Sequence, residues 1–406
     1  MRARVTAILV ARNGADYLPA TLEALGQQYR HPDSVVFVDA DSADASAALL
    51  AAAGPTQFVS AGSRSTFGSG VAKGLSILEP TTADNEWLWL LAHDNAPAPG
   101  ALAALLNAVE IAPSVAVAGP KLMQWQQPDV IESFGESMTR YGRSIQLVTG
   151  ELDQAQHDRR EDLLAVASAG MLVRRRVFAE LGGFDPGLPS IDAALDFCVR
   201  VRLAGHRVVT VPDAKVTTTG APELFGRASA SRSTHARIAR AAQLRRRLVY
   251  APAPALPLYW LSLLPLAIMR SIVQIAAKRA WAVPGEIATA VRAAFDGSVV
   301  SARRNLARGR SLGWRAIAPL RVQSAQAREL AANRSAASST VSAAGRLSEQ
   351  ETPRPGFFTA GGAWVVIVLA AIGVVANLRL LGESALSGGG LVPLSNTVAE
   401  LWAHVG

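Results

Sequence analysis

Four polar side chains follow short apolar runs in the front part of the chain. Arg12 and Asn13 come directly after one run, and Asp39 and Asp94 end or follow two others. A carboxylate at the end of a strand can accept hydrogen bonds from N–H and hydroxyl groups, or can ligate a hard divalent cation. Because the carboxyl ends of strands in an open α/β sheet meet at one edge, we expect the four to surround one ligand site.

The elements that position these residues alternate between strand-like and helix-like stretches. Strands are predicted at residues 5–10, 35–38, 57–59, 87–91 and 115–118. Helices are predicted at 18–25 with Asp16 as N-cap, after Ser42, at 71–78 and at 100–111. This alternation is typical of a sheet covered by helices. The sequence therefore predicts an α/β fold of the nucleotide-binding type.

Composition divides the chain into two unlike halves. Residues 1–223 hold 18 basic and 25 acidic side chains, whereas residues 224–406 hold 22 basic and 7 acidic ones. The acidic half argues against nucleic-acid binding, and the basic, apolar half matches the anionic cytoplasmic face of a membrane. The one cysteine, Cys198, excludes an intramolecular disulfide framework and a cysteine-built metal site.

Three segments carry a resemblance to a known family. Residues 36–44, 87–97 and 169–211 resemble the family 2 glycosyltransferases, and the first looks like their strand-ending Asp-x-x-Ser-x-Asp signature. The resemblance covers about residues 3–220. It implies a GT-A domain at 1–223, which is a Rossmann-like mixed sheet that binds a nucleotide sugar, and an inverting transferase of the hexosyltransferase type.

On the donor side, the resemblance implies that Asp39 hydrogen-bonds the base or ribose of the donor. Ser42 and Asp44 either hold this turn or only cap the next helix. The glycine-rich residues 68–74 would let backbone amides approach a diphosphate. The residues assigned to the nucleotide sugar are Arg12, Asn13, Asp39, Asp41, Lys73 and His93.

The resemblance also implies a divalent cation, Mg²⁺ or Mn²⁺, on the donor diphosphate. Asp94 stands where the family has an Asp-x-Asp-like motif, but here it is flanked by His93 and Asn95. A hard cation requires oxygen ligands. One carboxylate with the diphosphate and water predicts a metal site that is weaker than the usual one.

Acceptor-side residues are identified in three blocks similar to those of the family, at 182–186, 195–200 and 204–208. Asp185 and Asp196 belong to them. An inverting transfer needs a carboxylate that takes the proton of the acceptor hydroxyl. The family's usual acidic pair is replaced by Ala193 and Ala194, and the nearest carboxylate is Asp192, about 100° away around a helix from Ala193. Asp192 is therefore the candidate catalytic base.

A further departure follows the strand predicted at 207–211. Many relatives place a metal-binding histidine after it, and this chain has threonines at 217–219. His93 and His206 are expected to be structural hydrogen-bonding groups rather than bases. Two hypotheses stay open: an active transferase, and a catalytically degenerate glycosyltransferase-like binding or scaffold protein in a membrane complex.

The back half is predicted to be helical and associated with a membrane. Residues 224–335 are interpreted as basic membrane-surface helices. Their apolar segment, 248–269, is either an in-plane or re-entrant element or a hairpin, because basic flanks on both sides disfavour a lone crossing. Residues 336–356 form a predicted linker, and the uncharged residues 357–378 are predicted to cross the membrane.

Location and partners follow from this topology. The apolar run at 5–10 is too short for a signal peptide, so domain 1–223 is expected on the cytoplasmic side of a cell membrane. Residues 379–406 would be extracytoplasmic, and the sequence leaves open whether the chain is part of a longer one. The expected partners are a nucleotide-sugar donor, a lipid-linked or cell-envelope glycan acceptor and the membrane, but no nucleic acid.

Overall fold

A computed structural model describes residues 2–62, 65–188, 190–219, 232–276, 282–323, 325–330, 369, 372 and 373. The predicted linker at 336–356 and the outer segment at 379–406 lie outside the described residues. The predicted crossing at 357–378 does too, except for residues 369, 372 and 373, which are helical.

The chain divides into two units. The first is Met1–Ile268 with Gly285–Ser348, and the second is Met269–Pro284 with Glu349–Gly406. The sheet and all candidate site residues belong to the first unit. In the second unit, the described residues are mainly the helical stretch 269–276, whose apolar side chains are largely exposed.

Eleven strands of the described residues form one sheet. They are β1 Arg4–Ala11, β2 Ser34–Asp39, β3 Gln57–Ser60, β4 Glu86–Ala92, β5 Ala96–Pro97, β6 Val115–Gln124, β7 Val130–Met138, β8 Ser144–Val148, β9 Glu151–Leu152, β10 Leu172–Arg174 and β11 Arg207–Thr218. The order is β3-β2-β1-β4-β10-β6-β11-β5, with β7 pairing β6, β8 and β9. The strands expected from the apolar runs are confirmed, and the polar insert after residue 121 contains the hairpin β7–β8.

The sheet is mixed because β5, β7 and β10 run antiparallel to the strands that they pair with in the described part of the chain, whereas β1 to β4 are parallel. β1 pairs in parallel with β2 and β4, whereas β10 lies antiparallel between β4 and β6. Alternate side chains of β1 enter two different cores: Ile8 and Val10 pack on one face of the sheet, and Ala7 and Leu9 on the other. Burial on both faces explains why β1 and β4 are continuous apolar runs.

Helices cover both faces of this sheet. They are α1 Leu18–Gly26, α2 Ser46–Ala52, α3 Phe67–Ser76, α4 Ala101–Ile111, α5 Arg175–Glu180 and α6 Ser190–Leu203, and then α7 Arg232–Val249, α8 Leu256–Leu261, α9 Leu263–Ala276, α10 Val283–Ala294 and α11 Ser298–Gly309. The arrangement confirms the α/β prediction and is consistent with a GT-A domain.

The glycine-rich residues 68–74 lie within α3, which starts four residues before the helix predicted at 71–78. α3 begins at Phe67 because the Thr66 and Ser69 side chains form a reciprocal capping box. A Cβ on Gly70 would lie 2.4 Å from a methyl carbon of Val10. The small residues therefore allow α3 to pack closely on β1 rather than forming an open loop.

No helix within the described residues is by itself long and apolar enough to cross a membrane. The helical stretches Ala253–Leu261 and Leu263–Ala276 reach that length and composition only together, and a bend of 43° separates them. The predicted apolar segment 248–269 thus consists of the end of α7, α8 and the first part of α9.

Candidate functional site

The carboxyl ends of β2, β1 and β4 meet at one edge of the sheet. Ala11 at the end of β1 pairs with Asp39, and Val10 pairs with Ala92 at the end of β4. Neighbouring strands lie about 4.8 Å apart, so Asp39 and the residues after Ala92 flank the segment that follows β1. The structure therefore brings together Arg12, Asn13, Asp39, His93 and Asp94.

Asn13 and the loop after β2 hold each other through hydrogen bonds. Asn13 N donates to Ser42 Oγ (3.0 Å), and Ala43 N donates to Asn13 Oδ1 (2.8 Å). Asn13 has a φ of 47°, a left-handed conformation that asparagine tolerates better than most residues. Asn13 and Ser42 therefore brace the turn, so the side-chain oxygen of Asn13 is already engaged.

Asp44 braces the same turn from the next position. Its Oδ2 accepts from Ala15 N (3.0 Å) and its Oδ1 from Ser46 N (3.0 Å). Burial raises the pKa of Asp44, but the hydrogen bonds from Ser46 and Ala15 outweigh it and lower the pKa. α2 has Ala45 as its N-cap and no side-chain cap, so Ser42 and Asp44 hold the turn instead of capping the helix.

Asp39 is the carboxylate at this edge with an unused oxygen. The residue is 6 % exposed, and its Oδ2 accepts from Ser42 N at 3.3 Å. Its Oδ1 is buried and has no hydrogen-bond partner within the described part of the chain. A buried carboxylate oxygen without a donor is costly, so this atom is suited to receive an N–H or hydroxyl group from a ligand.

Arg12 lies beside this edge, and Asp41 lies in the loop after β2. Nη1 of Arg12 donates to Ser65 O at 3.3 Å, and its Nε is buried without a partner among the described residues. Asp41 is exposed and has a φ of 58°. Both side chains are placed where an incoming ligand can reach them.

Lys73 is the predicted donor residue that does not join this group. It lies in the last turn of α3, and its side chain is exposed. Gly70 contacts Val10 and Gly74 contacts Ile8, so α3 runs back along β1 away from its carboxyl end. Lys73 is therefore carried away from the edge that holds Asp39.

His93 is a buried structural group at this edge. Its backbone N donates to Val10 O (3.1 Å), and its backbone O accepts from Thr21 Oγ1 (2.8 Å). A Cβ on Gly14 would lie 2.4 Å from the imidazole ring, so only glycine fits opposite it. Burial lowers the pKa of His93, although the charge of Asp94 raises it, so the neutral form of the ring is favoured.

Asp94 is enclosed by hydroxyl and amide donors. Its Oδ2 accepts from Thr218 Oγ1 (3.0 Å), Thr219 N (3.1 Å) and Thr219 Oγ1 (2.6 Å), and its Oδ1 accepts from Asn95 Nδ2 (3.2 Å). Sequence reasoning treated the threonines only as the loss of a histidine. Their position at the end of β11 was the signal that they face Asp94.

These donors limit what Asp94 can offer a cation. A carboxylate has about four lone-pair sites, and the four hydrogen bonds leave little beyond one position on Oδ1. In the described ranges there is no group of three His, Cys, Asp or Glu side chains that could hold a metal ion. Asp94 therefore fits an ion held mainly by phosphate oxygens and water, not a metal cage built by the protein.

Asp196 clamps the turn at residues 182–186. Its Oδ2 accepts from Arg200 Nε (2.8 Å), and Arg200 donates on to Leu181 O and Gly183 O, both at 2.7 Å. Its Oδ1 accepts from Tyr250 Oη at 2.6 Å. Burial, followed by the charge of Asp196, raises the pKa of Tyr250. Asp196 is thus committed to protein groups on both oxygens.

Asp185 is held in a similar way by the helix that follows residue 231. Arg245 on α7 donates Nη2 to Oδ1 (2.8 Å) and Nε to Oδ2 (2.9 Å), which is a two-point contact. Arg245 also pairs with Asp296. Burial lowers the pKa of Arg245, but the hydrogen bond and charge of Asp185 outweigh it and raise the pKa.

Asp192, the candidate base, faces the neighbouring arginine on α7. Asp192 is 4 % exposed and Arg246 is 1 % exposed, with Oδ1 and Nη1 3.1 Å apart. Arg246 Nε donates to Gly142 O at 2.9 Å. Asp192 Oδ2 and both terminal nitrogens of Arg246 are buried and lack a hydrogen-bond partner among the described residues. A hydroxyl group could satisfy both sides, because it donates and accepts.

The arginines on α7 are the functional neighbours that sequence reasoning missed. Residues 224–335 were expected to form a basic membrane surface, but Arg245 and Arg246 are buried against acidic side chains of the sheet domain. The local sequence carries no signal for this burial, because arginines are mostly exposed unless an acidic side chain pairs with them. Through these two arginines, α7 belongs to the candidate site rather than to a basic surface that faces lipid.

A family model described as glycosyltransferase-like family 2 matches residues 3–250 of the chain. That range includes β1 to β11 and α7, and so contains all the candidate site residues. No curated protein matches the chain.

Several solved structures are similar at low sequence identity. GalNAc-T7 with UDP, GalNAc and Mn²⁺ has 14 % identity and a TM-score of 0.45, with 61 % of this chain and 47 % of that chain covered. Mannosyltransferase PcManGT from Pyrobaculum calidifontis, in complex with GDP-Man and Mn²⁺, has 17 % identity and a TM-score of 0.41, with 76 % of this chain and 85 % of that chain covered. TarS from S. aureus has 15 % identity and a TM-score of 0.40, with 61 % of this chain and 39 % of that chain covered. The chain therefore spans less than half of GalNAc-T7 and of TarS.

Proposed function

The chain belongs to glycosyltransferase-like family 2, and on that premise we propose that it transfers a sugar from a nucleotide-sugar donor to a hydroxyl acceptor. The observation that carries the proposal is Asp39, a buried carboxylate at the carboxyl edge of the sheet whose Oδ1 has no partner in the described part of the chain. Ligands of open α/β sheets bind at this edge.

On the donor side, Asp39 Oδ1 accepts from an N–H of the base or a hydroxyl of the ribose. Arg12 supplies positive charge next to the same edge, and Asp41 is free to contact the nucleoside from solvent. Neutral His93 fills the space opposite Gly14 and fixes the loop that carries Asp94. Asn13 acts through the turn that it braces, and Lys73, which is exposed in the last turn of α3, is given no role in this proposal.

Asp94 would hold a divalent cation on the donor diphosphate through its remaining Oδ1 position. Such an ion, when bound, neutralises charge on the leaving diphosphate. The hydrogen bonds from Thr218 and Thr219 fix the carboxylate so that one oxygen stays directed at the ligand side.

On the acceptor side, Asp192 is the proposed base of an inverting transfer. The acceptor hydroxyl oxygen attacks the anomeric carbon, the bond from that carbon to the diphosphate oxygen breaks, and the hydroxyl proton passes to Asp192 Oδ2. The ion pair with Arg246 orients the Asp192 carboxylate before the reaction. Asp185 and Asp196 shape the acceptor side by fixing the turn at 182–186.

The acceptor we propose is a lipid-linked or cell-envelope glycan that meets the enzyme at the cytoplasmic surface of a cell membrane. Support comes from the basic composition of residues 224–406 and from the apolar segment of α8 and α9. The reaction would be of the hexosyltransferase type.

A second candidate is a binding or scaffold protein that has lost turnover. The ion pair of Asp192 with Arg246 favours it, because it ties the carboxylate to a buried protein group instead of leaving it free for an acceptor. The four donors on Asp94 favour it as well, since they compete with a metal ion.

The test is a panel of nucleotide sugars with membrane lipid extract and Mn²⁺, in which release of nucleoside diphosphate is measured. The transferase predicts release with one donor, and loss of release in Asp192→Asn with donor binding intact. Donor binding by calorimetry without release in the wild type would establish the scaffold alternative. Absence of binding by any donor would overturn both.

A further inference from the structure

Large apolar side chains are exposed on three consecutive helices of the first unit. We call this set the apolar face, and its members are Leu258 and Leu261 on α8, Leu264 and Ile268 on α9, and Ile287, Val291 and Phe295 on and just after α10. Leu258 is 70 % exposed and Phe295 is 80 % exposed. Contiguous exposure of this kind marks a surface that contacts something other than water.

The helices that carry the apolar face are one-sided. On α9, Leu263 and Ala267 are each 1 % exposed and belong to the protein core, whereas Leu264 and Ile268 point away from it. On α10, Ala290 is buried and Val291 is exposed. Rows spaced by four residues lie on one side of a helix, so each helix presents an inner and an outer apolar row.

A hydrogen bond joins two of these helices at the surface. Trp260 Nε1 on α8 donates to Ala294 O at the end of α10 at 2.8 Å. Phe295, the next residue, is therefore adjacent to α8. The outer rows belong to one surface rather than to separate patches.

The exposed charges in the sequence that carries the apolar face and α11 are mainly basic. The acidic residues of 253–309 are Glu286 and Asp296. They pair with Arg240 (3.2 Å) and Arg245 respectively. Two exposed arginines, Arg304 and Arg308, lie on α11. Together with the exposed Val300 they form one row with a four-residue spacing. Exposed apolar side chains together with exposed arginines on the next helix are complementary to a bilayer with anionic headgroups.

We propose that the apolar face lies in the headgroup and acyl boundary of an anionic bilayer, with α8, the first part of α9 and α10 parallel to the membrane plane. This deepens the proposed function, because it rests on the membrane location suggested there. A crossing helix would meet lipid on all sides, but the inner rows of α9 and α10 are buried in protein. The orientation fixes which side of the sheet domain an acceptor in lipid can approach.

The experiment places an environment-sensitive dye on the full chain at engineered cysteines. Leu264→Cys and Val291→Cys probe the apolar face, and Ile111→Cys, 75 % exposed on α4, is the matched control. Native Cys198 is fully enclosed, and burial raises the pKa of its thiol to about 12, so it will not take the label. Vesicles of phosphatidylglycerol are compared with vesicles of phosphatidylcholine, each with and without a lipid-borne quencher.

The expected result is a blue shift and quenching at 264 and 291 with phosphatidylglycerol, and none at 111. Arg304→Gln with Arg308→Gln should weaken the response to phosphatidylglycerol by about fivefold per arginine removed. Dyes that are already blue-shifted without vesicles would show that a second copy or another segment of this chain covers the face, and would overturn the proposal.

Dyes at 264 and 291 that stay in water while the chain is bound to vesicles would also overturn it. If nucleotide release were still measured in that case, the membrane orientation would be wrong and the proposed transferase activity would stand. If the dyes at both positions contacted lipid but no donor gave nucleotide release, the orientation would stand and the proposed transferase activity would be wrong. The two claims are therefore tested separately.

Discussion

Arg246 in α7 and Asp192 in the first turn of α6 form an ion pair in which the two groups are almost fully buried, 3.1 Å apart. The pair joins the sheet domain to the helices that follow it in the sequence. Because both charges have left water, the removal of one partner is far more damaging than the removal of both.

We expect Arg246→Met to lower the free energy of unfolding by about 3–5 kcal/mol, because it leaves Asp192 buried without a counter-charge. The double variant Asp192→Leu with Arg246→Met should recover most of that loss. Urea unfolding followed by tryptophan fluorescence measures both. Arg308→Met, at an exposed position of α11, is the control and should change little. A double variant as unstable as the single one would contradict this account.

The contact between Gly14 and His93 gives a second prediction. Gly14→Ala would place a Cβ 2.4 Å from the buried imidazole, and we expect a loss of about 1–3 kcal/mol through overpacking. Gly26→Ala is the matched control, since no atom lies within 4 Å of its Cβ position. His93→Gly in the Gly14→Ala background should relieve the clash, because the Cβ of His93 would itself lie 2.6 Å from the new methyl carbon. Equal stabilities for the two alanine variants would show that the close contact is absent.

Acid stability should depend on Asp153. Burial raises its pKa, but hydrogen bonds from Lys121 and Lys215 outweigh it and lower the pKa from 3.8 to about 2. A lowered pKa stabilises the fold above the unfolded value of 3.8, and this contribution disappears as the pH falls towards the folded value. At about 1.4 kcal/mol per pKa unit, Asp153→Asn should cost about 2 kcal/mol at pH 7.

The measurement is urea unfolding of wild type and Asp153→Asn at several pH values. The difference between them should be constant above the unfolded pKa and shrink between 3.8 and about 2. Asp213→Asn, at an exposed position of β11, serves as the control and should follow the wild type at each pH. A difference that stays constant down to the lowest pH would rule out Asp153 as the titrating group.

Donor binding should depend on Asp39 more than on Asp41. Asp39→Asn removes the charged acceptor Oδ1, and a hydrogen bond to a charged group contributes about 1.5–3 kcal/mol, which corresponds to a rise of roughly tenfold to a hundredfold in Kd. Asp41→Asn, at an exposed position in the same loop, should change Kd far less. Calorimetry with UDP and GDP measures both. Equal effects would place the nucleoside elsewhere.

The state of Asp94 predicts how metal affects binding. Its four hydrogen bonds leave little room for an ion by itself, so Mn²⁺ alone should not raise the Tm. Mn²⁺ together with UDP or GDP should raise it more than the nucleotide does in EDTA, because phosphate oxygens complete the coordination. Asp94→Asn should remove that difference. A Tm increase with Mn²⁺ alone would contradict the assignment.

The sheet was predictable from sequence because burial on both faces makes β1 and β4 continuous apolar runs, and turn residues mark their ends. The edge that holds Asp39 and Asp94 followed from the same reasoning. The start of α3 was not predictable from sequence, since the capping box of Thr66 and Ser69 competes with a glycine-rich pattern that suggests a turn.

The acceptor side could not be predicted because its geometry depends on contacts between residues far apart in sequence. Asp185, Asp192 and Asp196 meet Arg245, Arg246 and Tyr250 only after α7 folds back onto α6. A local pattern cannot distinguish an arginine that faces lipid from one that pairs with a buried carboxylate. The threonines that surround Asp94 were overlooked for the same reason, since they lie 124 and 125 residues away from it.

The way α7 is anchored has a consequence for how the protein can be divided. A fragment that stops at residue 223 would retain every strand of the sheet, but Asp185 and Asp192 would be buried without their arginines and Asp196 without the hydroxyl of Tyr250. We expect such a fragment to aggregate, whereas one that extends past Tyr250 keeps these partners. The smallest autonomous piece therefore includes the first helix of the basic half, and the change in composition along the sequence is not where folding ends.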